Sequence, residues 1–556
     1  MLFDPWEYLG PKRRRMLERG WAGLFQRDLL KELPVDRIAP RFHPNFGRPT
    51  KELHTMLGVL VLQQMLDQTD AETVETLAYD VRWHYALNLP GETDAEKYVS
   101  ERTVRNYRRM LIELELDGVL FEGLTAKLAK VFKVPVSKQR LDSTHIVSNM
   151  RRLSRIGLFV AVITRFLKNL KRQHVECYGV IPAEVLERYL TKKGKGCFGQ
   201  PKPSRTQETL QGTAEDLLLL VEMFKNDEAV TRMASYRMMQ RLLSEQCEVK
   251  GEDEDGRVEV KPPKGIRSDS LQNPSDPDAT YDGHKGQGYQ VQLVETYREE
   301  EQEEAHRPDL ITYVEVEGAH LHDGQALAPA LNNLEERELK PNSMLGDTSY
   351  GSDDNVQYAA RHGVELIAPA QGGGAEERLG LEDFEIEETS GEIISCPIGE
   401  KPVVVRRSFS EKLNTYICIA LFDVDACMSC DEMGRCPKRM GVDTAEVRYD
   451  EKQLRLARRR RFEKTEEFRE KYRWRAGLEA TNARYKSLMG AGRLRVRSLP
   501  SVRYAAKLKA LGMNILRCGR VRAAILGLEG SLQQFRRLWI TLSCRVAWQL
   551  ATWTPA

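Results

Sequence analysis

The sequence lacks the features of a membrane or secreted protein. Its longest apolar runs, Met56–Leu62 and Ile156–Leu167, are too short to cross a bilayer, and Arg165 interrupts the second. The first residues, Met1 to Trp6, lack the basic-then-apolar order of a secretory signal. No internal repeat is found, so nothing indicates a repeat architecture. We therefore expect a cytoplasmic protein that makes no contact with a membrane.

The chain as a whole has little excess of either sign of charge, because its 556 residues carry a net charge of only +2. That balance hides a local excess, since residues 455–522 are crowded with arginine and lysine. A basic segment of this kind indicates a polyanionic partner. The length leaves room for about three folded units and a large core.

One charged pattern lies in the proline-free segment 450–499, which is rich in Arg, Glu, Lys and Ala and predicts helix. Counted from Tyr472, the residues Arg475, Glu479 and Lys486 lie at offsets of 3, 7 and 14. At ~100° per residue these positions span roughly 60°, so the four side chains share one helix face. A carboxylate suits a hard metal ion, and the two cations suit phosphate oxygens. The alternative is a solvated face with an ordinary i,i+4 ion pair.

The spacing Tyr-x2-Arg-x3-Glu-x6-Lys resembles the Tyr-Arg-Glu-Lys signature of a large group of bacterial insertion-sequence transposases. This resemblance implies an RNase H-like core with an Asp-Asp-Glu triad, which requires two upstream aspartates on strands. Asp142 lies within Pro135–Val147, a predicted strand, and Asp347 ends the short predicted strand that begins at Met344. The strings Leu-Asp-Ser-Thr and Asp-x2-Tyr-Gly around them resemble the motifs of the family.

The resemblance assigns roles to these residues. It makes Asp142, Asp347 and Glu479 the catalytic carboxylates, holding two Mg²⁺ ions, with Mn²⁺ as a substitute, for phosphoryl transfer. Arg475 and Lys486 would grip the DNA backbone, and Tyr472 would hydrogen-bond nearby. The partners implied are the terminal inverted repeats, target DNA and a second subunit in a dimer or larger assembly, in the bacterial nucleoid.

The predicted fold class is α/β, an RNase H-like mixed sheet flanked by helices, with an all-helical N-terminal DNA-binding region and two insertions. The predicted units are a helical region (1–134), the core in two parts (135–148 and 279–370), a helical insertion with an acidic linker (149–278), a β-rich insertion (371–447), a core helix (448–490) and a basic helical end (491–556).

Two further segments are candidates for DNA contact. The segment Ser100–Arg109 predicts a capped helix and resembles the recognition helix of a helix-turn-helix module, although a plain helical bundle with a basic rim remains the alternative. Its outward-facing candidates are Arg102, Arg105, Asn106 and Arg109. A basic loop, defined here as residues 490–500, offers Arg493, Arg495 and Arg497 for phosphate contacts.

Cysteine is sparse, with ten residues in the chain. Without a secretory signal these are expected to be thiols or metal ligands. The cysteine insertion, residues 371–447, holds a Cys-x2-Cys pair and two further cysteines that together suit tetrahedral zinc: Cys396, Cys427, Cys430 and Cys436. A group of reduced thiols is the alternative, and Cys418 is a possible substitute ligand.

The sequence thus predicts a DNA transposase that binds the ends of an insertion sequence, cleaves them and joins them to target DNA. The rival interpretations are a sequence-specific DNA-binding relative without chemistry and a nuclease that cuts without joining. Cutting and joining use the same triad, so sequence does not separate them.

Overall fold

The computed structural model describes residues 4–42, 51–192, 198, 205–250, 257–299, 307–372 and 378–551, with side chains described to residue 527. The strands are β1 (Lys138–Ile146), β2 (Cys247–Lys250), β3 (Arg257–Val260), β4 (Thr280–Asp282), β5 (Gly286–Thr296), β6 (Ile311–Gly318), β7 (Ser343–Leu345), β8 (Glu365–Ile367), β9 (Glu385–Ile386), β10 (Ile393–Ser395), β11 (Val404–Ser410), β12 (Thr415–Asp423), β13 (Arg439–Met440) and β14 (Thr444–Asp450).

The helices before the second half of the chain are α1 (Gly10–Arg19), α2 (Trp21–Leu24), α3 (Val35–Ile38), α4 (Leu53–Met65), α5 (Asp70–Tyr79), α6 (Val81–Ala86), α7 (Asp94–Lys97), α8 (Glu101–Glu113), α9 (Leu116–Val131), α10 (Arg155–Gln173), α11 (Val175–Gly179), α12 (Ala183–Leu190), α13 (Thr206–Met223), α14 (Glu228–Thr231) and α15 (Ala234–Gln246). Those that follow are α16 (Leu327–Glu336), α17 (Asp353–Arg361), α18 (Val424–Met428), α19 (Glu451–Glu463), α20 (Glu466–Tyr472), α21 (Ala476–Ser487) and α22 (Leu499–Ala551).

A mixed sheet lies at the centre, with the strand order β6-β5-β1-β7-β8 and β4 paired to the first residues of β5. Strand β5 is antiparallel to both β1 and β6, whereas β7 and β8 continue parallel to β1. Parallel neighbours need crossover connections, and here α16 and α17 supply them before β7 and β8. The sheet is therefore mixed α/β, as the sequence predicts.

One face of the sheet shares a single core with the N-terminal helices and with α22. Leu293 and Val316 of the sheet pack there with Leu60 of α4, Leu124 of α9 and Leu511 of α22. The other face packs on α16 and α17 through a separate core. The N-terminal region is thus helical, and its core is continuous with that of the sheet.

Helix α22 also closes the outer edge of β6. The side-chain amide of Asn514, which is wholly buried, accepts from the Ile311 N–H and donates to the Ile311 carbonyl, both at 2.8 Å. An exposed strand edge would leave such groups open to pairing with another chain. Among the described residues no helix is long and apolar enough to span a membrane.

The helical insertion, α10 to α15, has its own core of apolar side chains from α10, α13 and α15. The predicted acidic linker is more ordered than expected, because β2 and β3 form a hairpin and Val258 of β3 is buried in that core. Residues 251–256 of the linker lie outside the described residues. The cysteine insertion contains a four-stranded sheet ordered β11-β12-β14-β13.

The predicted continuous helix over 450–499 is wrong in detail, because the segment is divided. Helix α19 ends before Thr465, whose side chain accepts from the Phe468 N–H and begins α20. A short 3₁₀ turn, Arg473–Arg475, then joins α20 to α21. The basic loop is also not free, since Gly492 and Leu494 hydrogen-bond to Val147 just beyond β1.

Candidate active site

Three carboxylates converge from three elements. Arg140 of β1 pairs with Leu345 of β7 in a parallel register, so two residues further on Asp142 and Asp347 lie side by side. Glu479 comes from the first turn of α21. These are the three carboxylates that the sequence predicts, and the structure brings them together.

A single guanidinium lies among the three carboxylates. The Arg475 Nη1 atom is 2.8 Å from Glu479 Oε1, and its Nη2 atom is 3.7 Å from Asp142 Oδ1 and 3.9 Å from Asp347 Oδ2. One cation thus contacts all three acids. The i,i+4 pair between Arg475 and Glu479 is present as well, but it is part of this larger arrangement.

The environments of the carboxylates differ. The side chain of Asp142 is 12% exposed, that of Asp347 29% and that of Glu479 62%. Burial raises the pKa of Asp142 to about 6; the charge of Arg475 opposes this rise and that of Asp347 adds to it. The charge of Arg475 thus favours the ionised form of Asp142, whereas its burial and the neighbouring Asp347 disfavour it.

Neighbouring polar groups orient both aspartates. Asn482 Nδ2 donates to Asp142 Oδ2 at 3.0 Å, and the Ser349 N–H donates to Asp347 Oδ1 at 2.8 Å. Asn482 lies three residues after Glu479, on the same side of α21. Its place beside the site could therefore be read from the sequence, although the Tyr-Arg-Glu-Lys pattern does not include it.

Tyr472 and Lys486 both lie near the carboxylates, although a 3₁₀ turn separates Tyr472 from α21. Burial raises the pKa of the Tyr472 phenol, on which the charges of Arg475 and Asp347 also act. Burial lowers the pKa of Lys486, and the neighbouring charge of Lys285 acts in the same direction. Lys285, on the β4–β5 turn, is a cation near the site that sequence reasoning missed.

A buried ionic cluster beneath the site was not predicted. Glu295 of β5 is wholly buried and pairs with Arg140 and Arg517, each at 2.6 Å. The same carboxylate accepts from the Thr481 hydroxyl at 2.6 Å, two residues beyond Glu479. Arg140 Nη1 also donates to the Trp474 carbonyl at 2.7 Å. The sheet, α22 and the helix that carries Glu479 are therefore joined at one point.

The four candidate recognition residues of the predicted helix Ser100–Arg109 lie on the protein surface. Arg102, Arg105, Asn106 and Arg109 are exposed on α8, whose N-cap is Ser100. Arg105 lies 3.8 Å from Asp70, and Arg109 lies 3.7 Å from Glu113.

The arginines of the basic loop are exposed but partly engaged within the protein. Arg495 pairs with Asp67 at 2.8 Å, and Arg497 donates to the Asn149 carbonyl. Arg493 lies beside Val147, just beyond β1. Only part of this positive charge is therefore available to a polyanion.

The four predicted zinc ligands, Cys396, Cys427, Cys430 and Cys436, line one cavity in the cysteine insertion. Cys418 does not line it; this residue is buried on β12 opposite Tyr449. Within the described part of the chain, no group of three or more His, Cys, Asp or Glu side chains is already arranged to hold a metal ion.

Two segments of the chain match family models. Residues 395–518 match a model described as a transposase DDE domain, and residues 25–109 match one described as a transposase domain (DUF772). Both models describe transposase domains, so the matches indicate a DNA transposase, and the DDE domain supports an enzyme that cleaves and joins DNA. The DDE match contains Glu479 but neither aspartate. No curated protein and no solved structure was found to match the chain.

Proposed function

We propose that this protein is an insertion-sequence transposase with an RNase H-like core, whose Asp142, Asp347 and Glu479 catalyse DNA cleavage and strand transfer. The observation that carries the proposal is the convergence of these three carboxylates on one guanidinium. The strand order of the sheet, with its second strand antiparallel and the others parallel around β1, supports the fold assignment.

The donor set fits a hard divalent cation. All three acids offer carboxylate oxygens, which Mg²⁺ and Mn²⁺ prefer, and they already surround one positive charge. Asp142, Asp347 and Glu479 would hold the ions. When bound, two such ions activate water or a 3′-hydroxyl and stabilise the leaving oxygen at phosphorus.

The other residues of the site bind and orient. Arg475, once released from the carboxylates, is within reach of a backbone phosphate beside them, and Lys486 offers a second cation. Asn482 fixes the Asp142 carboxylate through its amide. Tyr472 supplies a phenol that can donate a hydrogen bond, and burial raises its pKa further above neutral pH.

Recognition of the DNA ends is assigned to α8. Arginine and asparagine read guanine and adenine edges bidentately, and Arg105 and Asn106 are exposed on this helix. The basic loop would add phosphate contacts without sequence preference. The proposal includes a dimer or larger assembly of the protein that holds two DNA ends together.

The test compares Asp142→Ala, Asp347→Ala and Glu479→Ala with Asp354→Ala, an exposed acid on α17 whose side chain is 87% accessible. On duplexes that carry the ends of the element, the three variants should lose cleavage by orders of magnitude and keep end binding, since phosphate contacts elsewhere supply affinity. The control should cleave like the wild type. Full cleavage by any of the three would refute the assignment.

A strand-transfer assay separates the rival functions. Joining of cut ends to target DNA identifies a transposase, and cutting without joining identifies a nuclease. End binding with neither reaction in the wild type identifies a DNA-binding relative without chemistry.

A further inference from the structure

The cysteine insertion contains a second candidate metal site, separate from the carboxylates. Its cavity measures about 50 Å³, which is far below the volume of a nucleotide or an organic cofactor. The walls that the cysteines do not supply are largely apolar, with Leu379, Phe384, Phe422 and Val447 among them. None of the three catalytic carboxylates lines this cavity.

The four cysteines line the cavity from three short backbone segments. Cys396 follows β10 in a tight turn, in which the Gly399 N–H donates to the Cys396 carbonyl at 2.8 Å. Gly399 has φ +91°, a conformation that other residues rarely adopt. Cys427 lies on α18 and Cys430 lies two residues beyond the end of that helix. The Cys436 N–H donates to the Glu432 carbonyl at 3.0 Å.

The four cysteines lie outside the long strands β11, β12 and β14 of the insertion. Strands β9, β10 and β13 are two or three residues long, and the core of the insertion is small. The cysteines are free thiols rather than disulfides. Small units with so few buried apolar groups commonly depend on a metal ion or a disulfide for stability.

We infer that Cys396, Cys427, Cys430 and Cys436 bind one structural Zn²⁺ that holds the cysteine insertion together. Four thiolates match the preferred ligand set of structural zinc, and an all-protein set leaves no open position for substrate. Binding turns the sulfurs toward the cavity and releases their four protons, one from each thiol. Lys438, which lines the same cavity, places a positive charge next to the anionic cluster. This inference does not depend on the proposed catalytic function.

The first experiment measures zinc in full-length protein purified without chelators. We expect about one zinc per chain in the wild type and background zinc in Cys427→Ser. The matched control is Cys418→Ser, a buried cysteine of the same insertion outside the cavity, which should keep its zinc. A zinc-free wild type overturns the inference, as does equal loss of zinc in both variants.

A second measurement uses the wild type alone, so that a misfolded variant does not decide the question. A mercurial thiol reagent is added in steps while a chromophoric chelator reports released zinc, and mass spectrometry locates the modified residues. Zinc release should follow modification of the four cavity cysteines. Release that follows modification of other cysteines overturns the inference, as does a disulfide between Cys427 and Cys430 in protein without zinc.

Discussion

The buried ionic cluster beneath the active site gives the sharpest prediction. Replacing Glu295 by glutamine keeps the size of the side chain but removes the carboxylate that pairs with both Arg140 and Arg517. The side chains of the two arginines are 9% and 16% exposed, so water cannot replace the lost carboxylate. Leaving buried charge uncompensated costs about 3–5 kcal/mol.

The loss should be local to the helix that carries Glu479, because Thr481 and the Trp474 carbonyl are bonded to the cluster. Hydrogen exchange of the α21 amides is the suitable assay, since it reports local opening in a protein too large for a simple two-state unfolding analysis. At ~1.4 kcal/mol per tenfold change, exchange in Glu295→Gln should be at least about 100-fold faster.

The control is Glu299→Gln, which breaks the pair with Lys138 close to the same strand. Those side chains are 35% and 43% exposed, so the change should cost about 1 kcal/mol or less. Exchange of α21 in Glu295→Gln within about threefold of this control would refute the reasoning from buried charge.

The cluster also predicts a dependence on pH. Burial disfavours the ionised form, but the charges of Arg517 and Arg140 outweigh it and hold the pKa of Glu295 below its ordinary value. A lowered folded-state pKa stabilises the fold above the unfolded value of about 4.3, and that stabilisation is lost as pH falls through the folded value. Glu295→Gln should lack this acid-dependent loss, whereas Glu299→Gln should retain it.

Two further predictions concern position and recognition. A Cβ on Gly477 would lie 2.1 Å from the guanidinium of Arg140, which the buried cluster holds in place. Gly477→Ala should therefore displace Glu479 and slow cleavage by about 100-fold, while binding of the DNA ends is unchanged. Gly123→Ala, on α9, meets nothing within 4 Å and is the control; equal rates in both variants would contradict the packing argument. Replacing Arg105 and Asn106 by alanine should reduce discrimination between element ends and random DNA by about 1–3 kcal/mol per lost base contact. Replacing the three arginines of the basic loop should instead weaken binding to all sequences and reduce its salt dependence. If the Arg105 and Asn106 replacement leaves discrimination unchanged, sequence recognition lies elsewhere in the protein.

The sequence predicts the central strands and their two aspartates well, because the local pattern carries the information. Strand β5 alternates at period two, Asp142 lies in the middle of β1, and Asp347 lies two residues beyond the end of β7. Asp142 and Asp347 come together because β1 and β7 pair in parallel. The local sequence pattern does not reveal this pairing, which was expected only from the family resemblance.

The division of the predicted long helix was not foreseen, although Thr465 offered an N-cap signal. Helix propensity describes each residue separately and does not include the bond from Arg140 to the Trp474 carbonyl. The cluster around Glu295 had no local signal at all, since its partners come from distant parts of the chain. Such contacts are decided by tertiary packing, which propensity and spacing do not describe.

The core that the N-terminal helices share with α22 has a consequence for synthesis on the ribosome. Helices α4 and α9 leave the ribosome with apolar faces whose partner, α22, begins 434 (499 − 65) and 368 (499 − 131) residues later. At ~5–20 residues per second the shorter interval is about 20–75 s. During this time the nascent chain exposes surface that chaperones bind and proteases attack. The yield of folded protein should therefore depend on translation speed and chaperone supply more than the stability of the finished fold suggests.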